Sequence, residues 1–181
     1  MNVPATTHNN VFDALFVRLL QPQGAFKAEL RAAGYDPDRP QFSYPTSVLM
    51  ATLDIAARHV YPELLREDAH RKLGQRFADR YLSTILGRLT RTVVLAMGVD
   101  KFLMQIPRIV PLSSTGVTVT ARRAGPDEFR LVYTGEHQSP DFVAGALEGG
   151  ARDSSIFGLS AQVVRRGPTE FELKVTGVGR R

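Results

Sequence analysis

Val117-Thr-Val-Thr-Ala-Arg-Arg-Ala-Gly-Pro-Asp-Glu-Phe-Arg-Leu-Val-Tyr-Thr-Gly135 is where the hydrophobic rhythm of this chain changes. Val117, Val119 and Ala121 alternate with Thr118, Thr120 and Arg122, and Phe129, Leu131 and Tyr133 alternate with Arg130, Val132 and Thr134. A period of two places one apolar set on a single face of a strand. The intervening Ala124-Gly125-Pro126-Asp127 is hairpin chemistry, so the stretch predicts two antiparallel strands. Upstream the period is four: Leu73, Phe77, Tyr81 and Ile85 form one helical stripe.

Downstream the hairpin pattern recurs. Phe157, Leu159, Ala161 and Val163 precede a turn at Gly167-Pro168, and Phe171, Leu173 and Val175 follow it. The text recurs too: Arg122-Arg123 through Gly135 parallels Arg165-Arg166 through Gly177, one residue shorter. Two equal hairpins with one buried face each explain this by convergence. Between them Ser139-Pro140 supplies a cap and a first-turn proline for a helix from Asp141 to about Ala151. The order predicts an α+β fold, with N-terminal helices packed on one face of a four-stranded antiparallel sheet in ββαββ order.

The first part reads as helices. Asn10 is placed to cap Val11 to Leu20, and Ala25 to Ala33 is closed by Gly34. Thr46 or Ser47 can cap Val48 to Val60, which Pro62 halts. A long central helix follows from Glu63, with Gly87 inside its pattern, and Gly98 closes it. Asp100 then caps a short helix, Lys101 to Ile106, ended by Pro107. These boundaries give a flexible tail over residues 1–10, one domain over 11–177 with a helical part (11–111) and a ββαββ part (117–177), and a second tail over 178–181.

With 181 residues and 43% hydrophobic content, the chain has material for one sizeable core. Cysteine is absent, which excludes disulfides, a thiolate nucleophile and cysteine metal ligands, and fits a reducing, cytoplasmic setting. The first residues lack the apolar core of a signal peptide. The longest apolar run, Val93 to Val99, is far shorter than the ~20 residues that span a bilayer. The net charge is +5, and its excess lies in the helical part, where Arg71, Lys72, Arg76 and Arg80 invite a nucleic-acid reading. No aromatic residues interleave with these charges as nucleic-acid stacking would want, and pairs such as Glu67 with Arg71 and Asp68 with Lys72 make a solvated helix surface the better account.

Two resemblances add to this. Arg31-Ala-Ala-Gly-Tyr-Asp36, Tyr61-Pro62 and Arg71-Lys-Leu-Gly-Gln-Arg-Phe77, leading into Tyr81-Leu-Ser-Thr-Ile-Leu-Gly-Arg88, resemble an uncharacterised family described mainly from myxobacteria, the domain of unknown function 2378. More remotely, Phe142-Val-Ala-Gly145, Gly149 and the Phe171, Leu173, Val175 strand are similar to the end of vinyl-reductase-like domains. Those are relatives of haem nitric-oxide-binding domains and of the vesicle-tethering TRAPP subunits. The resemblance implies a fold that holds a small apolar ligand between helices and sheet, or presents a surface for assembly, and it implies a homodimer. The haem relatives use Tyr-x-Ser-x-Arg for the propionates; here Tyr81-Leu82-Ser83-Thr84 is followed by Ile85, so no cofactor is expected.

Catalytic motifs are lacking. His8, His59, His70 and His137 have no metal-ligand spacing, and His70 sits in a charged stretch where solvation is expected. No Gly-x-Ser-x-Gly occurs, and Gly145-x-x-x-Gly149-Gly150 lies on a helix, where small residues let it approach the sheet or a second subunit closely. The remaining hint is polar residues within the apolar stripe. Tyr81, Thr84 and Arg88 lie at three- and four-residue steps, and Tyr133 ends a strand on the inward face. In a helix–sheet pocket they can orient a ligand's polar end, while Phe77, Phe129 and Phe157, with Leu73 and Ile85, line the rest. The expected function is a non-enzymatic ligand-binding or sensory domain. The alternative is an interaction or scaffolding module of TRAPP-like type, which exposed Phe12 or Phe16 would favour; a nucleic-acid binder is third.

Overall fold

A computed structural model of the chain describes residues 5–81, 92, 98–135, 139–153 and 159–177. Among the described residues six helices and six strands follow one another along the chain. β1 (Thr6–His8) precedes α1 (Asn9–Phe12), which continues as π-helical turns over Asp13–Leu20. Then come α2 (Gly24–Ala32), β2 (Ser43–Pro45), α3 (Thr46–Val60), α4 (Arg66–Tyr81) and α5 (Val99–Ile109) with a 3-10 turn at Val110–Leu112. β3 (Val117–Arg123), β4 (Glu128–Gly135), α6 (Pro140–Asp153), β5 (Ser160–Arg166) and β6 (Glu170–Thr176) complete the chain.

The last third matches the period-two reading. The four strands form one antiparallel sheet in the order β3-β4-β6-β5, so the two hairpins join through β4 and β6. Phe129, Leu131, Tyr133, Phe171, Leu173 and Val175 alternate inward and are buried, each contributing about 1.5–3 kcal/mol by its removal from water. Their neighbours Arg130, Glu172, Lys174 and Glu128 pair across the other face. The second hairpin carries a register shift between Val163 and Arg165, which leaves Val164 exposed. Ser139 caps α6 as expected, its Oγ accepting the Phe142 N–H at 3.5 Å.

Local differences from the sequence reading have identifiable causes. Residues 6–8, read as tail, pair with residues 43–45 as a two-stranded ribbon, and Thr7 is fully buried. That pairing moves the helix start forward: His8, not Asn10, is the N-cap, and it makes no side-chain cap bond. The π-helical turns suit an ion pair five residues apart, Arg18 Nε to Asp13 Oδ2 at 2.6 Å. Thr46 begins α3 rather than capping it, its hydroxyl lying 3.4 Å from that of Thr7. Asp100 lies inside α5, whose N-cap is Gly98 at φ 83°, and Pro107 does not end that helix. One missing N–H near a helix end is tolerated when an apolar face is buried beneath it.

Two apolar clusters result. One joins α1, α2, α3 and α4 around Phe12, Phe16, Tyr35, Tyr44, Leu49 and Leu53. The other lies between α5, α6 and the sheet. α6 links them by packing against α4 through glycines: a Cβ on Gly145 would overlap the Arg71 carbonyl oxygen, and one on Gly74 that of Phe142. The small residues of α6 therefore serve contact with a helix, not with the sheet or a second subunit.

Candidate functional site

Between the C-terminal end of α4, α5, α6 and the sheet lies a cavity of about 220 Å³. α4 contributes Phe77, Ala78 and Tyr81; α5 contributes Val99, Phe102, Leu103 and Ile106; α6 contributes Val143, Ala146, Leu147 and Gly150; β4 contributes Tyr133. The space arises because Ala78, Ala146, Gly150 and Ala151 stand where larger side chains would fill it. Aromatic contacts fix its walls. Phe77 lies 5.2 Å from both Tyr81 and Phe142, and Tyr133 stacks on Phe171 at 4.5 Å with 7° between the planes.

The lining described is apolar except for Tyr81, Tyr133 and Ser113. Burial pushes the pKa of both phenols up, so each stays neutral at ordinary pH. No histidine, carboxylate, lysine or arginine stands among the described lining residues. The site can therefore enclose hydrocarbon and exchange hydrogen bonds with a neutral polar atom, and none of its described lining residues can compensate a buried charge.

The structure brings Phe77, Tyr81 and Tyr133 together as the sequence suggested. Phe129 is not at the cavity. It faces inward but sits four residues from Tyr133, about 13 Å along the strand, beneath the Arg123 guanidinium at 5.5 Å. Leu73 belongs to the helical cluster. Thr84, Ile85, Arg88 and Phe157 lie outside the described residues. The α5 wall escaped the sequence reading, although Val99, Phe102, Leu103, Ile106 and Ile109 repeat at three and four residues. Treating Pro107 as a stop hid that stripe.

Two polar clusters support the walls. Arg71 reaches from α4 to Glu148 on α6 and to the Ala161 carbonyl on β5; Gln75 and the Ala161 N–H also donate to Glu148. Burial pushes the Glu148 pKa up, but these donors together hold it below the usual carboxylate value. Arg71 thus pairs across helices rather than with Glu67. His70, expected in solvent, is 1% exposed. Its Nδ1 lies 2.8 Å from Ser139 Oγ, while Nε2 lies 3.0 Å from Asp54 Oδ1. Burial lowers its pKa more than Asp54 raises it. His59 pairs with Glu29 at 2.8 Å and stacks on Phe26 at 4.7 Å. Among the described residues no three potential ligands gather to hold a metal ion, and no helix is long and apolar enough to cross a membrane.

Solved structures share the fold. An H-NOX protein from S. oneidensis, in the Fe(II)NO ligation state, is 16% identical, with a TM-score of 0.72 over 96% of this chain and 99% of that one. A Cs H-NOX mutant is 14% identical, with a TM-score of 0.70 over 93% and 95%. An oxygen-binding H-NOX domain related to soluble guanylate cyclases is 14% identical, with a TM-score of 0.64 over 93% and 91%. These likenesses carry the fold.

Haem, named for members of that fold family, does not fit the residues described here. Iron needs an axial histidine, cysteine, methionine or tyrosinate; the described lining offers only two phenols that burial keeps protonated, and no cation to meet a propionate. The volume of about 220 Å³ also falls below the ~300–1,000 Å³ that hold drug-sized ligands. No curated protein matches the sequence. A family model does, over residues 5–176, and the chain therefore belongs to the family described as Protein of unknown function (DUF2378).

Proposed function

We propose that this chain is a non-enzymatic domain that binds a small apolar molecule between its helices and its sheet, in a sensory or regulatory role. The cavity carries the reading. An apolar pocket of about 220 Å³ leaves the carbon atoms of its lining without packing partners on one side. A ligand filling the space supplies those contacts. The oxygen-binding H-NOX domain and the H-NOX protein in the Fe(II)NO ligation state support such a use of the fold. The lining here directs the choice of ligand elsewhere. Phe12 and Phe16, whose exposure would have favoured a TRAPP-like docking module, are fully buried.

The proposal includes a homodimer in the cytoplasm, and native mass spectrometry tests both assembly and ligand. It should show a retained small mass on the purified protein, or a panel of apolar compounds should raise the Tm. At a hundredfold excess over Kd the gain is about 2.7 kcal/mol, a shift of roughly 5–10 °C for a chain of this length. No retained mass and no stabilising compound would remove the reading.

A further inference from the structure

We infer that the cavity selects a neutral, mostly hydrocarbon molecule of one to two rings or an equivalent chain, bearing one hydrogen-bonding atom, and rejects both haem and carboxylate ligands. This rests on the ligand-binding reading above and narrows it. Size sets the upper bound. A cavity of ~150 Å³ lined by aliphatic and aromatic side chains takes benzene, and about 220 Å³ here leaves room for one fused ring more. The walls set the polarity. Phe102, Leu103, Ile106, Val143 and Leu147 surround the space with carbon. Tyr133, locked flat on Phe171, holds its phenol in a fixed orientation at one wall, and Tyr81 adds a second on α4.

The described lining residues carry no charge. Two described ion pairs beside α6 are closed on themselves: Arg71 with Glu148, and Arg166 with Asp141 at 2.6 Å. A carboxylate entering the cavity loses its water and finds no positive partner among the described lining residues. An alcohol or an indole N–H keeps one hydrogen bond, to a phenol.

Titration calorimetry at pH 7.5 with indole, toluene, 1-octanol and octanoate, together with haemin followed by absorbance, tests this. Indole and 1-octanol should bind one per chain, octanol at least tenfold more tightly than octanoate, and haemin should give no saturable one-to-one complex. Val143→Phe, which fills the space, should weaken indole at least tenfold while circular dichroism stays native. Tyr133→Phe removes only the hydroxyl, so it remains informative if the larger substitution fails to fold. It should weaken octanol about fivefold and leave toluene unchanged. Saturable haemin binding with an axial-ligand spectrum, or octanoate matching octanol, would overturn the inference and leave the ligand-binding reading standing. If none of the probes bound, both would fall.

Discussion

In the helical half of the molecule the Phe12 ring lies 4.9 Å from Tyr35 and 4.6 Å from Tyr44, and Phe16 lies 5.2 Å from Tyr35. All four rings are buried, and Leu49, Leu53 and Leu73 close the gaps between them. In the helix–sheet half Val143, Ala146 and Gly150 of α6 share the pocket lining with α5, and about 220 Å³ stays open. Rings interlocked at 4.6–5.3 Å make a rigid plug, whereas small residues on a helix spaced by its glycines leave room. The filled half positions α4 and α6; the open half is where binding can occur.

Truncation should separate the halves most clearly. Phe12→Ala is expected to cost about 3–5 kcal/mol by denaturant unfolding, because its neighbours cannot collapse into the space. A cost near 1 kcal/mol would mean that the plug is softer than its ring contacts imply. Next, Gly145→Ala should cost about 1–3 kcal/mol or more, since its Cβ meets the Arg71 carbonyl and not a flexible side chain. Tyr35→Phe should raise stability by about 1 kcal/mol, as the buried Tyr35 hydroxyl has no hydrogen-bond partner; a loss would reveal a bound water. Val143→Ala, at the cavity wall, should change stability by less than about 1 kcal/mol, because part of its side chain already faces empty space.

A pH series sharpens the comparison last. His70 is held neutral by burial, with its folded pKa below the ordinary 6.5. The unfolded chain therefore binds more protons just below that value, so the stability due to His70 is complete above about pH 6.5 and declines as pH falls through it. Glu148 adds a second decline below its ordinary 4.5. His70→Asn should abolish the first decline and keep the second, read as unfolding free energy from pH 8 to pH 4.

The sheet was legible because its information is local: alternation, Gly-Pro turns and a Ser-Pro cap each span a few residues. Three-residue strands such as Thr6–His8 carry no measurable alternation, and their pairing partner lies some forty residues away. His70 looked solvated because its own helix is charged; Ser139, the group that buries it, is 69 positions distant. Tyr81 and Tyr133 were found as polar breaks in apolar stripes. Phe129 shares Tyr133's face, and alternation records the face without the position along it. The cavity could be anticipated but not bounded, since an alanine in sequence does not say what it faces.

The shifted register in β5 has a consequence for assembly. β3 and β5 are the outermost strands of their sheet, the position from which another chain can extend a ribbon; on β5 the Ala161 N–H and carbonyl are already engaged by Glu148 and Arg71. β5 is distorted at Val164, and both margins end in exposed arginine pairs, Arg122-Arg123 and Arg165-Arg166. A twin molecule adding its own margin there would bring like charges together over an irregular ladder. Ribbon extension between copies of this chain is thus disfavoured at these margins.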